Sequence, residues 1–212
     1  SIGDALGSID IQITGAFKRV AALEPYIGKS GWMQVSLLSI NSFELEEYLL
    51  ISCITNDGDV LPGEIANKLF GLTFKKIDTI EKYHADVQTF EVVDDNNELV
   101  ALFYADFFPR KGKRNGAWMT SFKPQYIQNS VNERPHISNV CNFTPPTPTK
   151  PSLLTFNEVT TLFHEFGHGL HGMLANTNYP SLSGTSVFWD FVELPSQMME
   201  NWCYEPEALA LF

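Results

Sequence analysis

The sequence predicts an α+β domain, a small antiparallel sheet followed by helices. Three observations lead there. Residues 86–143 hold short runs rich in Val, Leu, Phe and Tyr, separated by turn residues such as Asp94-Asp95-Asn96-Asn97. A proline-rich break, Thr144 to Pro151, comes next and excludes a helix there. After it, Thr155-Phe156-Asn157-Glu158 reads as a capping box, and Val159, Leu162, Phe163, Phe166 and Leu170 follow at helical spacing.

Taken in order, residues 1–60 carry mixed periodicity. The one element expected there is a helix over Ser42 to Ile51, with Glu44, Glu46 and Glu47 near its positive end. A short helix is expected over Glu64 to Leu69, stopped by Gly71. Asp86–Val93 and Glu98–Phe108 read as a β-hairpin about the Asp94–Asn97 turn, and Ala117–Phe122 and Ile137–Phe143 as further strands. The capped helix should run to about Ala175, followed by a loop over Asn176 to Gly184. A second helix is expected near Asp190, whose carboxylate would cap it, with Pro195 close to its first turn.

Composition removes several functions. Among 212 residues, Lys plus Arg total 14 against 25 Asp plus Glu, a formal net charge of -11. The basic residues cluster only in Arg110 to Arg114, so neither nucleic acid nor an anionic membrane is expected as a partner. That short run offers charge to anchor a peptide carboxylate, but such runs more often pair with acids of the same chain. Hydrophobic residues at 44% and charged residues at 18% exclude a disordered chain. Cys53, Cys141 and Cys203 form no CxxC pair and read as buried thiols of a reducing compartment. No signal-peptide pattern opens the chain, and the apolar run Tyr48 to Ile54 is too short to span a bilayer, so a cytoplasmic location is expected. The chain starts at Ser1 and stops at Phe212 inside a helical pattern begun at Pro206, which reads as a piece of a longer protein.

The chemistry is concentrated in His164-Glu165-Phe166-Gly167-His168. Two histidines at i and i+4 stand one turn apart on one helix face, where both imidazoles reach one Zn2+ ion. Glu165 beside the first is placed to hold and deprotonate a zinc-bound water. A catalytic zinc needs a third protein ligand and keeps a fourth position open. A metzincin would need Gly at 171 and His at 174; those positions hold His171 and Leu174. A carboxylate from the following helix remains, with Glu193 preferred and Glu200 competing on the same predicted face. His171 could substitute as a ligand but sits about 10 Å further along the axis, and is read instead as a residue that supports the ligands or lines the substrate cleft, against a purely structural role. Asp190 or Glu200 would hydrogen-bond a ligand histidine. Gly116 and Ala117, at the start of a strand, would let an extended peptide approach its edge closely. A structural zinc site is disfavoured because no cysteine lies near the pentad.

The run Leu153 to His171, including Phe163-His164-Glu165-Phe166-Gly167-His168-Gly169, resembles the zinc oligopeptidases related to thimet oligopeptidase. Trp189-Asp190-Phe191-Val192-Glu193-Leu194-Pro195-Ser196-Gln197, then Glu200-Asn201-Trp202, resembles them too, as do Lys68 to Phe74 and Asp106 to Phe122. The resemblance covers about residues 61–212, leaving 1–60 as a separate N-terminal segment. It implies part of a mainly helical, zincin-type metallopeptidase catalytic region, truncated at its C-terminus, with a deep channel that admits short peptides. It also implies one Zn2+ per chain held by His164, His168 and Glu193, with Glu165 as catalytic base. The family's substrate-holding Tyr and His would fall beyond Phe212. The alternative is a catalytically inactive fragment or interaction domain that keeps the zinc-binding helix.

Overall fold

The computed structural model describes residues 61–148 and 152–209, together with the backbone of two paired strands, β1 (Ser36–Leu37) and β2 (Leu49–Leu50). The helix expected over Ser42 to Ile51 is corrected at Leu49–Leu50, where cross-strand pairing with Ser36–Leu37 overrides local helix preference; its remaining residues lie outside the described ones.

Helix α1 (Leu61–Phe70) ends where Gly71, at φ 68, lets its N–H bond to Asn67 O. Strand β3 (Thr73–Lys76) then pairs with β4 (Gln88–Val93), which turns back into β5 (Leu99–Asp106). The hairpin turn is the expected one. Asp94 Oδ1 accepts from the N–H groups of Asn96 at 2.9 Å and Glu98 at 2.8 Å, while Asn97 adopts φ 63. The chain continues through β6 (Trp118–Lys123), the small hairpin β7 (Tyr126–Gln128) and β8 (Val131–Glu133), and β9 (His136–Val140).

The main sheet has the order β3-β4-β5-β9-β6. It is mixed, which corrects the antiparallel sheet expected: β9 inserts between β5 and β6 and runs parallel to β5, Ala105 facing Asn139. The cause is non-local. The excursion through β6, β7 and β8 returns the chain alongside β5 in the same direction, and no local pattern encodes that return. Strands contribute almost as much as helices among the described residues, so this region is not mainly helical.

Helix α2 (Phe156–Met173) carries the pentad. Its start is the expected capping box: Thr155 Oγ1 accepts from Glu158 N–H at 3.2 Å, and Glu158 Oε2 accepts from Thr155 N–H at 2.8 Å. Val159, Leu162, Phe163, Phe166 and Leu170 are buried against the sheet. Phe166 meets Phe74 and Phe103 with ring centroids at 5.6 and 5.8 Å. Its C-terminal carbonyls are held by Arg134, whose guanidinium donates to Met173 O at 2.8 Å and Ala175 O at 3.2 Å.

The second helix is corrected. Helix α3 (Trp189–Val192) begins after Phe188, with no side-chain cap, so Asp190 lies inside the first turn and is not the cap. Pro195 has no N–H to donate to residue 191, and its ring would clash with that carbonyl, so the helix breaks. Helix α4 (Leu194–Glu200) restarts with the proline in its first turn, and Glu193 falls at the junction. Helix α5 (Pro206–Leu209) ends the described part.

On the other face of the sheet, Asp106 is 1% exposed. Arg110 donates to both its carboxylate oxygens at 2.6 and 2.8 Å, Lys113 donates at 2.9 Å and Tyr83 O–H at 2.9 Å. Burial alone would raise this carboxyl, but those donors outweigh it and hold it below the ordinary carboxylate range. Arg110 and Lys113 are thus committed within the chain, as the competing reading of the basic run had it.

Two outcomes follow. A methyl on Gly167 would meet Pro195 O and Ser196 Cα at 2.6 Å. Gly167→Ala therefore forces α4 away from α2, and thermal unfolding should show a loss of about 1–3 kcal/mol. Asp106→Asn leaves two cations without their counter-charge and should cost about 3–5 kcal/mol at neutral pH. Because the folded Asp106 pKa is depressed, its stabilisation is present above the unfolded value and lost as pH falls through the folded one. Urea titrations should show the gap between wild type and Asp106→Asn closing below about pH 4.

Candidate metal centre

Helix periodicity puts His164 and His168 on one face of α2, their rings 4.9 Å apart and nearly perpendicular. The close packing at Gly167 draws the α3–α4 junction onto that face. Glu193 Oε2 then lies 3.3 Å from His164 Nε2 and 3.1 Å from His168 Nε2. Donors of the three residues lie within 4.8 Å of one another. Two donors each about 2.05 Å from one tetrahedral ion stand about 3.3 Å apart, so these spacings fit a zinc-sized ion.

The surroundings orient each donor. Ser196 Oγ donates to Glu193 Oε2 at 2.8 Å, and this bond, against a small burial penalty and with help from the two histidines, lowers the Glu193 pKa. Glu200 Oε1 sits 2.6 Å from His164 Nδ1. That contact suits a ring proton on Nδ1 and turns Nε2 toward Glu193 and His168. Burial lowers the His168 pKa, the Glu193 charge opposing it, so the imidazole is held neutral as a metal ligand must be. Glu165 is 7% exposed. Burial raises its pKa, His164 opposes, Glu193 adds to the rise, and the Met119 backbone N–H favours the charged form.

The structure thus gathers His164, His168, Glu193, Glu200 and Glu165. Glu200, weighed as the competing third ligand, instead contacts the far nitrogen of His164. Asp190 is exposed and makes no hydrogen bond to a ligand histidine among the described residues. His171 lies one turn beyond His168, against Phe191 at 6.0 Å, in a cleft of about 410 Å³ lined also by Gly167, Leu170, Val187, Pro195 and Met198. Gly116, at φ 95, and Ala117 precede β6, which begins at Trp118 and forms an outer edge of the sheet. Sequence reasoning missed Ser196, Arg134 and Met119. It also missed Gly167, although a glycine inside a strong helix costs about 1 kcal/mol against alanine and so signals a packing demand.

Two histidines one helical turn apart, a carboxylate from the α3–α4 junction and a buried glutamate beside them form a candidate metal centre. The model of peptidase family M3 matches residues 57–212, and the chain belongs to that family. It is 48% identical to oligopeptidase A of Escherichia coli (strain K12) over 149 residues, 69% of this chain and 22% of that protein. It is 42% identical to dipeptidyl carboxypeptidase of the same organism over 173 residues, 82% of this chain and 25% of that one. Thimet-like oligopeptidase of Dictyostelium discoideum is 43% identical over 145 residues, 67% and 22%. The chain therefore spans about a quarter of the length of the curated relatives it matches.

Glu200→Ala should weaken binding of a divalent metal by about 10- to 100-fold, read by competition with a chromophoric chelator. Asp190→Ala should leave that affinity unchanged.

Proposed function

We propose that this chain is the metal-binding and proton-transfer part of a zinc-dependent peptidase that hydrolyses peptide bonds in short peptides. The observation that carries the reading is the convergence of His164 Nε2, His168 Nε2 and Glu193 Oε2, with Glu165 in the next position on the same helix. Residues 61–212 would form the catalytic region, with one Zn2+ held by those three residues. When bound, zinc acidifies a water and polarises the scissile carbonyl.

The rest of the work falls to the chain. Glu165 accepts a proton from the attacking water at a carboxylate oxygen, then donates it to the leaving amine. Its burial favours this exchange, because a carboxyl raised toward neutral pH both takes and returns a proton readily. Glu200 holds His164 in the tautomer that keeps Nε2 free, and Ser196 keeps Glu193 turned toward the histidines. The outer edge of β6 would take the extended peptide backbone, with Gly116 leaving open space beside it and Ala117 next to it. His171 and its apolar cleft would receive a substrate side chain. The exposed apolar residues Phe188, Trp189 and Leu194 lie within five residues of Glu193 along the chain and favour a peptide over a charged polymer. Among the described residues no helix is long and apolar enough to cross a membrane, and the free, buried thiols of Cys141 and Cys203 suit a reducing cytoplasm.

Elemental analysis of the purified, dialysed protein should give close to one zinc per chain, and near none in His164→Ala. Glu165→Gln should keep the zinc while hydrolysis of a quenched fluorescent peptide falls by about 10²- to 10⁴-fold. A metal-holding interaction module would be indifferent to that second substitution.

A further inference from the structure

The basic run Arg110 to Arg114 ends in a cation that the chain does not neutralise. Arg110 and Lys113 are both spent on Asp106. Arg114 makes no ion pair among the described residues, and its side chain donates no hydrogen bond there. Its guanidinium lies instead over the indole of Trp118, 4.7 Å from the ring centroid. The indole covers one flat face of the guanidinium. Because Arg114 is exposed, the N–H rim stays open to a ligand, in the fork that suits a carboxylate.

The backbone beneath this side chain is fixed from both sides. Lys113, with its side chain 3% exposed, donates to Asp106 O at 2.9 Å and to Phe108 O at 2.8 Å. Asn142, just past β9, donates from Nδ2 to Arg114 O at 2.9 Å and to Gly116 O at 2.8 Å. A free arginine loses much rotamer freedom when it binds. A stacked arginine on a pinned loop has already lost part of it.

The cation stands at one end of the outer edge of the sheet. Strand β6 starts at Trp118, the residue under the guanidinium, and its ladder with β9 starts there too, at the Trp118–Val140 pair. Gly116, at φ 95, is outside strand geometry, so an extended peptide added to the edge runs out of partner backbone at that point. Charge decides which end of the peptide arrives there. A peptide parallel to β6 would bring its terminal ammonium against Arg114. An antiparallel one brings its terminal carboxylate, and antiparallel pairing is also the more stable. Met119, whose backbone N–H is beside the Glu165 carboxylate, lies three residues beyond Gly116, about 10 Å along a strand. That length holds about two or three peptide residues.

We propose that Arg114, held on Trp118, anchors the free C-terminal carboxylate of a short peptide lying antiparallel on the edge of β6. The anchor selects substrates whose scissile bond is about two or three residues from that carboxylate. The proposal rests on the reading of β6 as the peptide-binding edge given above, and narrows its substrate class to peptides with a free and nearby C-terminus.

The test uses the 212-residue protein carrying Glu165→Gln, so that turnover does not consume the ligand. Dansyl-pentaalanine with a free carboxylate and the same peptide as its C-terminal amide are titrated by fluorescence anisotropy. The free acid should bind about threefold more tightly or better. Arg114→Gln should abolish that preference by weakening the acid alone. Lys111→Gln, which removes an exposed cation of the same loop, should leave it unchanged. A carboxylate held by a metal instead would keep its preference in Arg114→Gln. The second readout is the Arg114 side-chain Nε–H resonance, assigned by its loss in Arg114→Gln. It should move with the acid and stay in place with the amide. A smaller preference, a preference that Arg114→Gln retains, or an unmoved resonance overturns the proposal. If neither peptide binds, the edge reading and the anchor fall together; if both bind equally, the anchor alone falls.

Discussion

The arrangement depends on one close approach, α4 lying against α2 at Gly167. A side chain there would collide with the backbone of Pro195 and Ser196. With only a hydrogen in the way, the α3–α4 junction comes near enough for Glu193 to reach both histidines. Pro195 completes the device. It breaks the helix, so Glu193 is set at a bend and points along the α2 face instead of outward from a continuous helix. Two backbone-altering residues thus bring the third donor, Glu193, to the two histidines.

Around that contact the polar groups are arranged by depth. Glu200 and Ser196 each hold one member of the donor set from outside, by single short hydrogen bonds. Glu165 is sunk deeper, between the His164–His168–Glu193 group and the free edge of β6, where burial raises its pKa. The opposite face of the sheet is fixed by an unrelated ion cluster at Asp106, which binds the loop leading into β6. Arg134 ties the far end of α2 to β5 through Val100 O at 2.7 Å. The helix that carries the chemistry is therefore pinned at its start by the capping box, at its middle by Gly167 and at its end by Arg134.

Sequence periodicity was enough to locate α2, its Thr155 cap, the hairpin turn at Asp94 and the histidine pair, since each rests on contacts within a few residues. Glu193 was singled out from the carboxylates downstream, with help from a family resemblance. Glu200 was seen as either a ligand or a support, and only its contact with His164 Nδ1 separates the two. The single helix opened by Asp190 was an error of weighing: an acidic residue before an apolar run looks like a cap, but the clash at Pro195 dominated.

What the sequence determined by itself was local chemistry. It set which residues could bind a metal, their spacing on one helix turn, and the excess of acidic over basic residues. Those features follow from identity and from the 3.6-residue period. Tertiary structure alone decided the parallel insertion of β9 between β5 and β6, the approach of α4 to Gly167, and the burial of Glu165. These involve residues far apart in the chain. Their distances are set by how whole layers pack, and no short stretch of sequence carries that information.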